Sequence, residues 1–374
     1  MQAIKTNKQK KIMQKIEKLQ TELKKIEMQQ QEMQNRKMRN RKTFPVFFAA
    51  DDNYLPYLSV ALRSLKENAD RTHIYEIYVL HAGVDNAAYE AQILTFSEPD
   101  FSVSFVDVGE KLKEIKRALQ LRDYYTGATY YRIFIAGMFP NLDKAIYLDS
   151  DIIVRGDISR LFDVSLGNNL VAAVPDTAVA SVKEFRRYTQ EVLGIEYSRY
   201  FNAGVLVMNL KKFREDHFYD RFCALLREYK FSVAQDQDYL NVLCKDKVKL
   251  LSKTWNTMPI GGDKNKTPML VHYNLTAKPW HYADIPYAEL FWAYAKSDPF
   301  YPTLQQQLYT YDKACRDKDA TTEKALIALA IRECEREDNY LKVRQKAEKL
   351  YAEYCAEQQT EILEEEQELQ PVGV

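Results

Sequence analysis

The sequence has only five cysteines, Cys223, Cys244, Cys315, Cys334 and Cys355, and no two are spaced for a C-x-x-C clip. An odd number without paired spacing argues against a disulfide framework and a zinc ribbon. Reduced thiols in a cytoplasmic protein are the expectation. Net charge is missing too, since 53 Lys plus Arg balance 53 Asp plus Glu. Holding nucleic acid by displacing counterions needs a basic surplus, so no nucleic-acid partner is expected. No apolar run approaches the roughly 18 residues of a membrane-spanning helix. The opening MQAIKTNKQKK has no apolar stretch of the kind a secretory signal carries. Internal repeats and low-complexity linkers are not seen in the sequence.

What is present is enough apolar material for a real core: 46% hydrophobic and 12% aromatic residues in a chain of 374. The neutral total hides an uneven arrangement. Residues 1–42 carry 10 Lys and 3 Arg against 4 Glu, a net of +9, and lack Gly and Pro. From Glu353 onward there are 7 Glu and no basic residue. Opposite ends of this kind can pair with each other or with partners. In the basic segment Ile12, Ile16, Leu19, Leu23, Ile26 and Met33 fall at heptad spacing, interrupted at Gln30. A homodimer through this seam is expected. The same basic surplus suits peripheral contact with anionic lipid at the inner face of a membrane.

From residue 43 to about residue 300 the pattern changes. Phe44–Ala50, Ile74–Leu80, Phe101–Val108, Lys144–Leu148, Leu170–Val174, Gly204–Met208 and Met269–Tyr273 read as strands. Helical stretches at 179–193, 211–230 and 285–296 lie between them. Alternating strands and helices predict an α/β domain with a mostly parallel sheet. Ligands of such sheets sit beyond the carboxyl ends of strands. Residues 301–374 read as a helical region with an acidic tail. Leu326, Ala330 and Cys334, then Leu341, Ala347 and Tyr351, are its periodic apolar positions.

Five segments could carry chemistry. In FFAADDNY the small Ala49 and Ala50 allow a flat ligand near the backbone. Asp51 can accept from a base or ribose and Tyr54 can stack, although helix N-capping explains the acidic residues equally well. In KAIYLDSDIIV an apolar strand runs into Asp149-Ser150-Asp151, two carboxylates that can address one hard cation. YFNAGVLVMNL sets Asn202, Ala203 and Gly204 before a strand, where an amide can reach a sugar hydroxyl. AQDQDYLNVL opens a helix with Asp236, Gln237 and Asp238, which also suits dipole complementarity. MLVHYNLTAKPW presents His272 at a strand end, followed by Lys278 and Trp280; imidazole is an acceptable Mn²⁺ ligand.

In their order FAADDNY, YYRIFIAG, YLDSDIIVRGDI, FNAGVLVMNLKKF, QDQDYLN and HYNLTAKPW, these segments resemble the signature series of glycosyltransferase family 8, over residues 44–296. The resemblance implies a GT-A fold, a UDP-hexose donor, retention of anomeric configuration, a carbohydrate-containing acceptor, and Mn²⁺ with Mg²⁺ as the alternative. It implies that Asp51, Asn53 and Tyr54 hold the uridine, and that Ala50, Arg132 and Ser150 contact the donor. Asp149, Asp151 and His272 would be the metal ligands. Asn202, Ala203, Asp236 and Gln237 would contact the donor sugar, with Asp236 and Gln237 the candidates for catalysis, and Lys278 would meet the diphosphate. One departure stands out: the family's H-Y/F-x-G pattern has Gly where this chain has Leu275, and a turn needing positive φ would be strained there. A non-catalytic scaffold that binds partners through its coiled coil is the alternative reading, but it predicts loss of the Asp-x-Asp or the histidine, and both are kept.

Overall fold

The computed structural model describes residues 18–19, 21–26, 28–29, 41–116, 127–260 and 266–368, with residues 357–368 as backbone alone. Nine strands are named in chain order. They are β1 (Thr43–Ala49), β2 (Ile74–His81), β3 (Phe101–Asp107), β4 (Ala145–Leu148), β5 (Ile152–Val154), β6 (Val171–Pro175), β7 (Phe201–Met208), β8 (Val248–Leu250) and β9 (Leu270–His272). Seven form the central sheet in the order β3-β2-β1-β4-β7-β6-β8, and β5 pairs with β9 in a second, two-stranded sheet.

The sheet is mostly parallel, as the alternation of strands and helices predicts. β1 lies parallel between β2 and β4, β2 parallel to β3, and β6 parallel to β8. β7 alone runs against its neighbours β4 and β6. Successive side chains of a strand point to opposite faces, and the core divides accordingly. Phe47, Tyr147 and Leu206 enter one hydrophobic cluster, while Val46, Ile146 and Val205 enter the other. Both faces are covered, which explains why these strands read as continuous apolar runs rather than alternating ones.

Three expectations need correction. Asn202, Ala203 and Gly204 do not precede a strand but lie within β7, whose eight residues are all buried. Because β7 is antiparallel, its beginning lies at the carboxyl end of β4. The helical stretch 211–230 is two helices, Leu210–Glu215 and Phe218–Glu228, parted at His217 with φ 49°. The stretch 179–193 likewise divides into Thr177–Ser181 and Lys183–Glu191. Strands β5 and β8, three residues each, are too short for periodicity to separate from their surroundings.

The helices after residue 300 pack on the same core. Leu304 of helix Tyr301–Thr310 joins one cluster; Leu329, Ala330 and Cys334 of helix Lys313–Glu335 join the other. The next helix, Tyr340–Glu368, leaves Val343, Leu350, Tyr351 and Tyr354 exposed. Of the N-terminal seam, Ile12, Ile16 and Met33 lie outside the described residues; Leu19, Leu23 and Ile26 are helical and exposed. All five cysteines are free. No helix among the described residues is long and apolar enough to cross a membrane.

Candidate active site

A cleft of about 330 Å³ opens where β1, β4 and β9 end and β5 and β7 begin. Its lining includes every site residue expected from the sequence: Ala50, Asp51, Asn53, Tyr54, Arg132, Asp149, Ser150, Asp151, Asn202, Ala203, Asp236, Gln237, His272 and Lys278. Asp149 follows β4, and its N–H donates to the Gly204 carbonyl of β7 at 2.8 Å. The Ser150 hydroxyl donates to the Ala49 carbonyl at the end of β1, 2.8 Å away. Asp151 leads directly into β5, whose antiparallel partner β9 sets Ile152 opposite His272. A two-stranded antiparallel sheet, not a parallel one, therefore brings the histidine to the Asp-x-Asp.

Asp149, Asp151 and His272 offer three ligand atoms within 4.8 Å of one another. His272 Nε2 lies 3.6 Å from Asp149 Oδ2 and 3.2 Å from Asp151 Oδ1. The histidine tautomer follows from a chain of hydrogen bonds anchored on a backbone donor. Gly204 N–H donates to Asn202 Oδ1 at 2.9 Å, so Asn202 Oδ1 is an acceptor. Asn256 Nδ2 donates to the same oxygen at 2.9 Å, which turns Asn256 Oδ1 toward His272 Nδ1, 3.1 Å away. Nδ1 therefore carries a proton, and Nε2 is the ring nitrogen turned toward the two carboxylates. Three potential ligand atoms facing one another, with Asp151 Oδ1 buried and lacking a hydrogen bond, fit a divalent cation held between them. Gly204 makes room for this arrangement, since a Cβ there would stand 2.3 Å from His272 Cε1 and 2.5 Å from Asp149 Oδ2.

Cationic side chains surround the carboxylates. Lys278, itself buried, is ion-paired with Asp151 Oδ2. Burial works against the Asp151 charge, but Lys278 and His272 outweigh it and hold the carboxyl below its ordinary range. Arg132, in the 3₁₀ turn Gly127–Ile133, places Nη2 3.1 Å from Asp149 Oδ1 and Nε 3.4 Å from Asp236 Oδ2. It also donates to the carbonyls of Thr129 and Ala203 and lies over the Tyr147 ring. Its guanidinium is thus engaged by the protein itself. Asp236 is the opposite case to Asp151. Burial, with Asp149 adding repulsion and Arg132 only partly compensating, pushes its carboxyl up to about 7.

Gln237 is fixed at both ends of its amide. Oε1 accepts from Ala203 N–H at 2.9 Å, and Nε2 donates to Asp176 Oδ2 and the Tyr200 hydroxyl at 3.0 and 3.2 Å. Asp176 Oδ2 also accepts from Asn202 Nδ2 at 3.0 Å, so one hydrogen-bonded chain links His272 to Gln237. Asp238 takes no place in the lining. Its buried carboxylate accepts from Tyr188 and Tyr200 hydroxyls and Ala234 N–H.

Asp51 Oδ1 accepts from the N–H groups of Asn53 and Tyr54, both at 3.1 Å. That oxygen braces the turn before helix Leu55–Asn68, which itself has no side-chain N-cap, so the capping reading does not hold. Tyr54 has its phenol pushed up by burial and by the charges of Asp151 and Asp149. Leu275 has φ 52°, the left-handed conformation that the missing glycine would favour. Sequence reasoning missed Asp176 and Asn256. The apolar run VAAVP ending at Asp176 was a signal of the same kind as the run before Asp149. Asn256, in the loop after the turn Lys253–Trp255, had no such signal.

The sheet order and the solved structures that resemble it define a glycosyltransferase of GT-A fold. The family model for glycosyl transferase family 8 matches residues 45–284, and the chain belongs to that family. The lipopolysaccharide 1,2-glucosyltransferase of Escherichia coli K12 is 29% identical over 257 residues, covering 63% of this chain and 72% of that protein. The galactosyltransferase LgtC, solved with donor and acceptor sugar analogs, aligns with a TM-score of 0.58 at 29% identity, over 68% of this chain and 96% of LgtC. The apo structure of the bifunctional glycosyltransferase WbbM aligns at 0.63 and 26% identity, over 72% of this chain; the match spans 52% of WbbM.

Proposed function

We propose that this glycosyltransferase moves glucose or galactose, with retention, from a UDP-sugar to a saccharide, glycolipid or glycoprotein acceptor, assisted by Mn²⁺ and less well by Mg²⁺. The observation that carries the reading is His272 Nε2 turned toward Asp149 and Asp151 in the same cleft as the Asn202–Asp176–Gln237 hydrogen-bonded chain. Asp149, Asp151 and His272 would hold the cation, and Mn²⁺ suits this mixed oxygen and nitrogen set better than Mg²⁺. When bound, it would act as a Lewis acid toward the leaving diphosphate.

The protein's own groups do the rest. Lys278 exchanges Asp151 for a diphosphate oxygen and offsets charge as UDP departs. Asp51, Asn53 and Tyr54 receive the uridine, with Ala50 contacting the donor, Ser150 holding the Asp-x-Asp turn against β1 and Arg132 holding Asp149 and Asp236 in place. Asn202, Ala203, Asp236 and Gln237 orient the sugar. Asp236, protonated below about pH 7, can donate a hydrogen bond to a sugar hydroxyl. Gln237 is an amide fixed at both ends and a poor nucleophile, and Asp238 is engaged elsewhere. This favours same-face substitution: the bond from the anomeric carbon to phosphate breaks, the bond to the acceptor oxygen forms, and the acceptor proton passes to the leaving phosphate.

A screen of UDP release from UDP-glucose and UDP-galactose with Mn²⁺ tests the reading. Release from one of them, accelerated by a carbohydrate acceptor, is expected. A folded protein that turns over neither donor with any acceptor would support the scaffold instead.

A further inference from the structure

Helix Lys313–Glu335 lies beyond residues 45–284, the part the family model matches, yet it forms a wall of the cleft. Asp319, Glu323, Leu326, Ala330 and Cys334 follow one another at spacings of 4, 3, 4 and 4, so they share one face of that helix. The first two hold the segment that carries Lys278. Buried Asp319 Oδ2 accepts from the Tyr282 and Tyr311 hydroxyls, both at 2.7 Å, and Glu323 accepts from the Thr276 hydroxyl. His281 stacks on Tyr311 with ring centroids 3.8 Å apart. The last two, Ala330 and Cys334, are buried in the core cluster that also takes Tyr188 of helix Lys183–Glu191, against which this helix packs. The helix therefore runs from the Lys278 segment to helix Lys183–Glu191. Between the two anchorages Leu326 faces the cleft, seven residues or roughly 10 Å along the helix from Asp319.

Leu326 shares the lining with Phe185 and Val179, all three half-buried and apolar. Val179 N–H donates to Asp176 Oδ1 at 3.0 Å, which ties this patch to the carboxylate that holds Asn202 and Gln237. We propose that Phe185, Val179 and Leu326 form the acceptor subsite, and that it takes a neutral terminal pyranose seated by its apolar C–H face. The assignment rests on the transferase reading above. Apolar side chains can cover the C–H face of a pyranose, whereas a carboxylate or phosphate there would lose water without gaining a partner. Among the described lining residues Lys278 and Arg132 are the Lys and Arg side chains, and both are ion-paired with carboxylates of the cleft. Burial pushes the His281 imidazole down to about 4, so it adds no positive charge at neutral pH. Asp176 and Asp319 instead bring buried carboxylates to the lining.

The test uses the full chain and reads acceptor binding apart from turnover. With UDP and Mn²⁺ present, saturation-transfer NMR should show methyl glucoside or methyl galactoside bound, and glucuronate and galacturonate bound about tenfold more weakly. Leu326→Lys and Phe185→Ala should each weaken binding of the neutral sugar about tenfold, while UDP affinity by calorimetry and the melting temperature stay close to native. Leu326→Met should keep the neutral sugar bound. In assays of UDP release the loss should fall on the acceptor KM more than on kcat. Phe185→Ala carries the test if Leu326→Lys does not fold. Neutral sugars that do not bind, that bind no better than the uronates, or that bind Phe185→Ala as tightly as the native protein would overturn the assignment. Neutral sugars that bind as expected to a native protein releasing no UDP would support the subsite and contradict the transferase reading.

Discussion

Asn256 Oδ1 lies 3.1 Å from His272 Nδ1, and the partner on the far side of Asn256 fixes which of its atoms faces the ring. The asparagine therefore sets the tautomer of the histidine from a buried position. Replacing Asn256 with Ala should lower affinity for Mn²⁺ about 10- to 100-fold, the usual cost of losing a group that orients a metal ligand. Titrating activity against Mn²⁺ checks this: the half-saturating concentration should rise while activity at saturation largely recovers.

Gln237→Ala should slow transfer far more than it weakens UDP binding. Its side chain holds Ala203 N–H and Asp176, which belong to the proposed sugar subsite. Comparing the turnover rate with UDP affinity by calorimetry separates the two, and an equal loss of both would assign Gln237 to the nucleotide or the fold.

Asp236 gives a pH dependence of definite sign. Its carboxyl is raised from 3.8 to about 7 by burial, so the folded protein holds a proton that the unfolded chain has released. The stability this contributes is complete below about pH 4 and is lost as pH rises through 7, amounting to about 4 kcal/mol at most. Asp236→Asn stays neutral at every pH. Relative to the native protein, its melting temperature should therefore climb between pH 4 and pH 8 in metal-free buffer. A difference that stays flat over this range would contradict the burial of an uncharged carboxyl.

Leu275 holds a backbone conformation that costs a side-chain-bearing residue about 1–2 kcal/mol. Leu275→Gly removes that cost but adds about 0.5–1 kcal/mol of unfolded-chain entropy. Thermal unfolding should show a neutral to slightly stabilising change, and transfer should persist because the backbone path to Lys278 is already the one glycine prefers. Marked destabilisation would mean that the half-exposed Leu275 side chain matters more than its φ.

Legibility in the sequence followed the strength of local signals. β1, β4 and β7 were readable because burial on both faces leaves uninterrupted apolar runs, and the residues at their cleft ends were readable with them. Asp149, Asp151 and His272 were legible as ligand types, whereas the antiparallel β5–β9 pairing that joins them was not. Strands of three residues carry too little pattern. Nor does a sequence reveal that β7 runs against its neighbours, which is what brings Asn202 and Ala203 to the cleft from the start of a strand. Asn256 acts only through atoms that folding brings to it, and no local pattern marks it. Ala347 and Tyr351 were legible as periodic apolar positions of a helix, yet both are exposed, because an apolar stripe does not name what covers it.

The central claim is that Asp149, Asp151 and His272 hold a cation required for transfer from a UDP-sugar. The most direct measurement is UDP release from the preferred donor, in the presence of acceptor, by the native protein and by Asp151→Ala, with Mn²⁺ and after treatment with EDTA. The account predicts that EDTA abolishes release reversibly, that added Mn²⁺ restores it, and that Asp151→Ala is inactive at any Mn²⁺ concentration although folded. Full release by Asp151→Ala in metal-free buffer would contradict both the site and the mechanism built on it.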